Sequence, residues 1–159
     1  MESGIGRGVL DCEISWNEKR EEKWYDNLEK VKSEYESRNI EAEVLEFFNN
    51  PEEQIKWSDF VVSRAGALSL SEITSMKKGA LMIPLPNSID NHQYENAKKI
   101  EDMGMGILHE ENEDISYLTD KLNEIIKDKK YINWKKNELT IHVNAANEIV
   151  KHIEEYLNK

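Results

Sequence analysis

Asp59-Phe60-Val61-Val62-Ser63-Arg64-Ala65-Gly66-Ala67-Leu68-Ser69-Leu70-Ser71-Glu72 passes from apolar to small to helix-forming residues without a break. Phe60-Val61-Val62 is continuous rather than alternating, which predicts a strand of a parallel sheet covered on both faces. Arg64 ends the apolar run, a small-residue turn follows, and a helix is predicted over Ser69–Lys77. A helix start presents unpaired amides and partial positive charge, so it suits an anion. Arg64 adds a full charge with forked donors. Glu72, one turn into the predicted helix, suits a pair of sugar hydroxyls. Together these groups fit a nucleotide diphosphate with its ribose. A second reading needs no ligand: Ser69 and Glu72 have the S-x-x-E spacing of a capping box.

Upstream of this stretch, Asn17 to about Arg38 reads as a helix, with Trp24, Leu28, Val31 and Tyr35 on one stripe. Glu41–Phe47 alternates and ends in aromatics, which predicts a strand. Asn49-Asn50-Pro51 stops it, and Pro51 opens a short helix that Trp57 closes. Residues 1–13 carry Gly4, Gly6 and Gly8. With no strand before them and no helix start after them, they read as a frayed terminus rather than a phosphate loop.

Downstream, Ala80-Leu81-Met82-Ile83-Pro84 predicts the next buried strand, and Asn91–Met103 a helix that Gly104 would cap. Met105–His109 is a short strand. Ile115, Leu118, Leu122, Ile125 and Ile126 mark an amphipathic helix, and Leu139 through Leu157 a terminal one. This alternation implies an α/β fold: a Rossmann-like parallel sheet of about four strands with flanking helices and right-handed crossovers. Ligands in such folds bind at the carboxyl ends of the strands. The loops after Phe47, Ser63, Pro84 and His109 emerge there. The segment Asp90-Asn91-His92-Gln93-Tyr94-Glu95-Asn96-Ala97 gathers amide and imidazole groups suited to sugar hydroxyls. Its plainer reading makes Asp90 or Asn91 a helix cap.

The 159 residues fit one domain with a real core. The net charge of −11 argues against nucleic acid as a partner. The single Cys12 excludes an internal disulfide and a cysteine-based zinc site, and makes a reducing cytoplasm the default compartment. No run approaches the roughly 20 apolar residues of a membrane span. No metal or cofactor is expected.

From about Val31 onward, these stretches resemble the carboxyl-terminal domain of the MurG family, most closely in Ser63–Glu72, in Asp90-Asn91-His92-Gln93 and in Asn96-Ala97. The family transfers N-acetylglucosamine from UDP-GlcNAc to a lipid-linked muramyl-pentapeptide in peptidoglycan synthesis. The resemblance implies the donor half of a two-domain (GT-B) glycosyltransferase, peripheral on the inner membrane face. It implies that Phe47 and Phe48 pack on uracil and that Arg64 lies beside the uridine. It places Gly66, Ala67, Leu68 and Ser69 in the phosphate-binding turn, and Glu72 on the ribose. Gln93, with His92 beside it, would read the GlcNAc hydroxyls.

The chain also departs from that pattern. It lacks the acceptor-binding domain that carries the general base, so no catalytic residue is expected in it, and alone it should bind donor without transferring. The family's Gly-Gly-Ser loop has no counterpart, so the donor domain reads as partial: residues 17–159, after a poorly determined segment 1–16, without the first strand or strands. Lys77-Lys78-Gly79 stands where the family has Gly-Lys-Pro, which should loosen that turn. The alternatives are a donor subunit completed by a partner chain, and a non-catalytic module that self-associates through an open sheet edge.

Overall fold

The structure is a computed structural model, and it describes residues 8–11, 21–45, 49–136 and 145–157. These fall into two compact units. The smaller, residues 14–51, contains helix α1 (Glu21–Ser37), which ends in a left-handed Asn39 with Ile40 N donating to Tyr35 O at 2.9 Å. Leu28 and Tyr35 on its stripe are half-covered, whereas Val31 is exposed. Glu41–Leu45 forms no strand and is exposed apart from the half-buried Val44; the remaining two residues of that predicted strand lie outside the described residues.

The larger unit is built on four parallel strands: β1 (Gly8–Asp11), β2 (Phe60–Ser63), β3 (Ala80–Met82) and β4 (Gly106–Leu108). Their order in the sheet is their order in the chain. Strand β1 corrects the reading of residues 1–13 as a frayed terminus, because Gly8–Asp11 pairs in register with Phe60–Ser63. Beyond β1, helices α2 (Pro51–Trp57), α3 (Ala67–Ser75), α4 (His92–Asp102), α5 (Ile115–Lys127), α6 (Lys130–Trp134) and α7 (Ala145–Leu157) complete the chain. The sequence reading left α6 out.

Successive right-handed crossovers in one direction put their helices on one face of a sheet, and the core divides accordingly. Val61, Ala80, Met82 and Leu108 face Ile55 of α2, Leu70 and Ile73 of α3 and Ala97 of α4. The alternate residues Phe60 and Leu81 face Ile125 of α5 and Tyr131 and Trp134 of α6. Both faces are covered, which is why the strands read as apolar runs. Ile115 stands out of the α5 stripe, exposed at the first helical position.

Two turns fix the crossovers. After α4, Gly104 is left-handed (φ 67°), with Gly104 N donating to Glu101 O and Met105 N to Ile100 O, the paired bonds of a Schellman cap. After α3, Lys77 (φ 57°) plays the same part without being glycine, with Lys77 N on Thr74 O and Lys78 N on Ile73 O. This turn is not loose: Lys78 Nζ donates to Lys56 O at 2.9 Å and to Ser58 O at 2.5 Å, fastening the end of α2.

Candidate functional site

Arg64 is the first residue beyond β2, and its Nη1 reaches across the carboxyl edge of the sheet. It donates to Ile83 O at 3.1 Å and Pro84 O at 3.5 Å in the loop after β3, and to Glu111 Oε2 at 2.5 Å in the loop after β4. One guanidinium therefore ties three strand-following loops. Ser63 Oγ donates to Arg64 O at 2.9 Å and steadies the main chain beneath it.

Helix α3 begins at Ala67, two residues before the predicted start, with Gly66 in the capping position (φ −64°, ψ 138°) and no side-chain cap. Ser69 is thus the third helical residue, and the Ser69–Glu72 capping box is not formed, since a box needs its serine at the cap itself. The first bond into the helix runs from Leu70 N to Gly66 O at 3.0 Å, so the amides of Ala67, Leu68 and Ser69 precede it. No acidic residue lies in the first turn. Leu68 is largely exposed. Glu72, in the second turn, is exposed, and its carboxylate has no hydrogen bond or ion pair among the described residues.

The second predicted cluster starts differently from its reading. A 3-10 turn, Ile89–Asn91, precedes α4, and Asp90 and Asn91 are both left-handed without capping through their side chains. His92 is exposed, with Nδ1 2.5 Å from Ile89 O. Facing a carbonyl oxygen, Nδ1 can serve this contact only as its donor. Gln93 is buried, and its Oε1 accepts from Leu85 N at 3.0 Å, while its amide N–H groups make no hydrogen bond among the described residues. Asn96 Nδ2 donates to Ala65 O at 3.3 Å, joining this helix to the turn before α3. The structure thus connects Arg64 and the α3 start with the loop after β3 and with helix α4, which opens on His92 and Gln93. Phe47 and Phe48 lie outside the described residues.

The loop after β4 contributes groups the sequence did not announce. Buried His109 places Nδ1 3.1 Å from Glu113 Oε2, and Lys121 Nζ reaches the same oxygen at 2.6 Å. The hydrogen bond from Lys121 holds the Glu113 carboxyl below its ordinary range. The Ser116 amide, at 2.8 Å, does the same for Asp114, the cap of α5. Glu111, Arg64's partner, had no local signal, because the pair spans 47 positions. The tie from Asn96 could have been suspected from its place in the second cluster. Among the described residues no group of three or more His, Cys, Asp or Glu could hold a metal ion, and no helix is long and apolar enough to cross a membrane.

Residues 23–154 match the family model "Glycosyltransferase family 28 C-terminal domain". A protein of Wolbachia sp. subsp. Drosophila simulans (strain wRi) is 39% identical over 130 residues, 80% of this chain and 38% of that one. One from Rickettsia bellii (strain RML369-C) is 43% identical over 117 residues, 72% of this chain and 33% of that one. Both are named UDP-N-acetylglucosamine--N-acetylmuramyl-(pentapeptide) pyrophosphoryl-undecaprenol N-acetylglucosamine transferase. The chain spans well under half the length of either relative. The crystal structure of Acinetobacter baumannii MurG shares the fold with a TM-score of 0.77 at 20% identity, covering 98% of this chain and 54% of that one. The chain belongs to the glycosyltransferase family 28 C-terminal domain family, the Rossmann-like carboxyl-terminal half of MurG-type GT-B transferases.

Proposed function

We propose that this chain is the donor-nucleotide half of a UDP-GlcNAc-dependent transferase that converts lipid I to lipid II. One observation carries the reading. Arg64, the start of α3, whose Gly66 cap makes no side-chain cap hydrogen bond, and Glu72, whose carboxylate has no partner among the described residues, lie in succession on a single strand–turn–helix unit at the carboxyl edge of the parallel sheet. That edge is where ligands of such sheets bind.

In this reading the diphosphate rests on the amides of Gly66 to Ser69, where helix dipole and N–H donors favour negative charge. Glu72 accepts from the ribose hydroxyls, free to do so because it caps nothing. The family resemblance assigns the uracil to Phe47 and Phe48, which lie outside the described residues. Gln93 offers its N–H groups to the sugar, its Oε1 already engaged by Leu85, and His92 stands beside it. As the glycosidic bond breaks, charge builds on the leaving diphosphate. Arg64 and the helix start are preset to stabilise it, the electrostatic contribution that usually dominates such transfers. The acceptor site and the general base come from a second domain, on the same polypeptide or a partner chain, working at the membrane face where the lipid-linked acceptor lies. This chain alone binds donor and does not transfer.

Titration calorimetry with UDP-GlcNAc tests the assignment. Glu72→Ala removes a charge-assisted hydrogen-bond acceptor and should weaken binding about tenfold or more. Equal affinities for the two proteins would sink the nucleotide assignment.

A further inference from the structure

We propose that Glu111 is a built-in counter-ion of Arg64 that sets how tightly this edge of the sheet takes an anionic nucleotide. The inference rests on the donor-nucleotide reading above and adds a specificity-determining residue to it. Glu111 Oε2 lies 2.5 Å from Arg64 Nη1, and both side chains are partly exposed, at 47% and 27%. The contact is therefore open to exchange with solvent ions. The other edge of the guanidinium, Nε and Nη2, makes no hydrogen bond among the described residues. A phosphate arriving there meets a cation whose charge is already compensated, with the Glu111 carboxylate close by to repel it.

The surrounding loop is made to hold Glu111 in place. Glu113 N donates to Glu110 O at 2.9 Å, and Glu110 N to Glu113 Oε1 at 3.3 Å, so the segment is a closed turn. Lys121, on α5, pins that turn through Glu113 Oε2 at 2.6 Å. The backbone is thus fixed at its root, and the part left to move is the Glu111 side chain. When a diphosphate binds, that side chain leaves Arg64, and the lost ion pair is subtracted from the affinity. An uncharged nucleoside brings no such competition, so the pair lowers affinity for charged ligands alone.

The test is calorimetry of the full chain with UDP, comparing wild type, Glu111→Gln and Glu110→Gln. Glutamine at position 111 can still accept from Nη1, so the loop tie survives, and an unchanged thermal melt verifies it. Glu110→Gln makes the same charge change one residue away. A partly exposed pair of this kind predicts UDP binding about two- to fivefold tighter in Glu111→Gln, and unchanged in Glu110→Gln. Equal or weaker binding by Glu111→Gln overturns the counter-ion role while the nucleotide reading stands. Equal tightening by Glu110→Gln also overturns it, since the effect would then be general charge. Absence of UDP binding in all three proteins overturns both readings.

Discussion

Arg64 and Glu111 meet at 2.5 Å across 47 positions of sequence, and the same Arg64 nitrogen holds Ile83 O at 3.1 Å. The guanidinium therefore belongs to the architecture of the loops as well as to any ligand. Arg64→Met keeps the apolar stem but removes every cross-loop bond. Stability should fall by about 1–2 kcal/mol, the sum expected for a partly exposed pair and a hydrogen bond to backbone. Urea denaturation should show a lower midpoint with an unchanged slope.

Lys77 occupies a left-handed position (φ 57°) that Gly104 fills at the corresponding point after α4. A side chain there costs conformational energy that glycine avoids. Lys77→Gly should therefore stabilise the protein by about 1 kcal/mol, and Gly104→Ala destabilise it by a similar amount. Opposite shifts of the thermal midpoint would be the signature.

Gly79 has no room for a methyl group. A Cβ there would stand 2.2 Å from the Trp134 ring and 2.6 Å from Met105 O. That oxygen accepts from Ala80 N in the β3–β4 ladder and cannot withdraw. Gly79→Ala should cost about 3 kcal/mol by overpacking. Adding Trp134→Leu should recover part of the loss, a non-additivity measurable in a double-mutant cycle.

Glu113 is held below its ordinary range by the hydrogen bond from Lys121. A carboxyl with a lowered folded-state pKa contributes stability that is present above the unfolded value, about 4.5, and is lost as pH falls through the folded value. Melting temperature should thus drop with acidification below about pH 4.5. In Lys121→Met that acid dependence should be shallower, because the partner that lowers the pKa is gone. Identical pH profiles would show that the pair adds nothing.

The buried strands were legible because Phe60-Val61-Val62 and Ala80-Leu81-Met82 are covered on both faces and must be apolar throughout. The Gly104 cap was legible because its conformation favours one residue type. Strand β1 was not, since Gly8-Val9-Leu10-Asp11 carries no strong local preference and exists by pairing with residues some fifty positions away. Glu41–Leu45 shows the converse: alternation of residue types alone does not make a strand. The α3 start was misplaced because Ser69 is a better cap by residue type than Gly66, yet the chain leaves its extended conformation at Gly66. Arg64, Glu72 and Gln93 were readable as chemistry. Their states were not: Arg64 is engaged by Glu111, 47 positions away, Gln93 is half-committed to the Leu85 amide in the preceding loop, and the Glu72 carboxylate has no partner among the described residues.

Strand order that follows chain order has a consequence for how the molecule is made. Each of β2, β3 and β4 docks beside the strand synthesised just before it, so no strand must wait for a later one to open its place. The β2–β3 and β3–β4 closures stay short, and that part of the sheet can assemble from its amino-terminal side as the polypeptide leaves the ribosome. The face against α5 and α6 is sealed last, when Trp134 arrives over Leu81 and Phe60. A nascent chain that stops before α5 would carry a sheet with that apolar side uncovered, and one that stops before Trp134 would leave it only partly covered by α5.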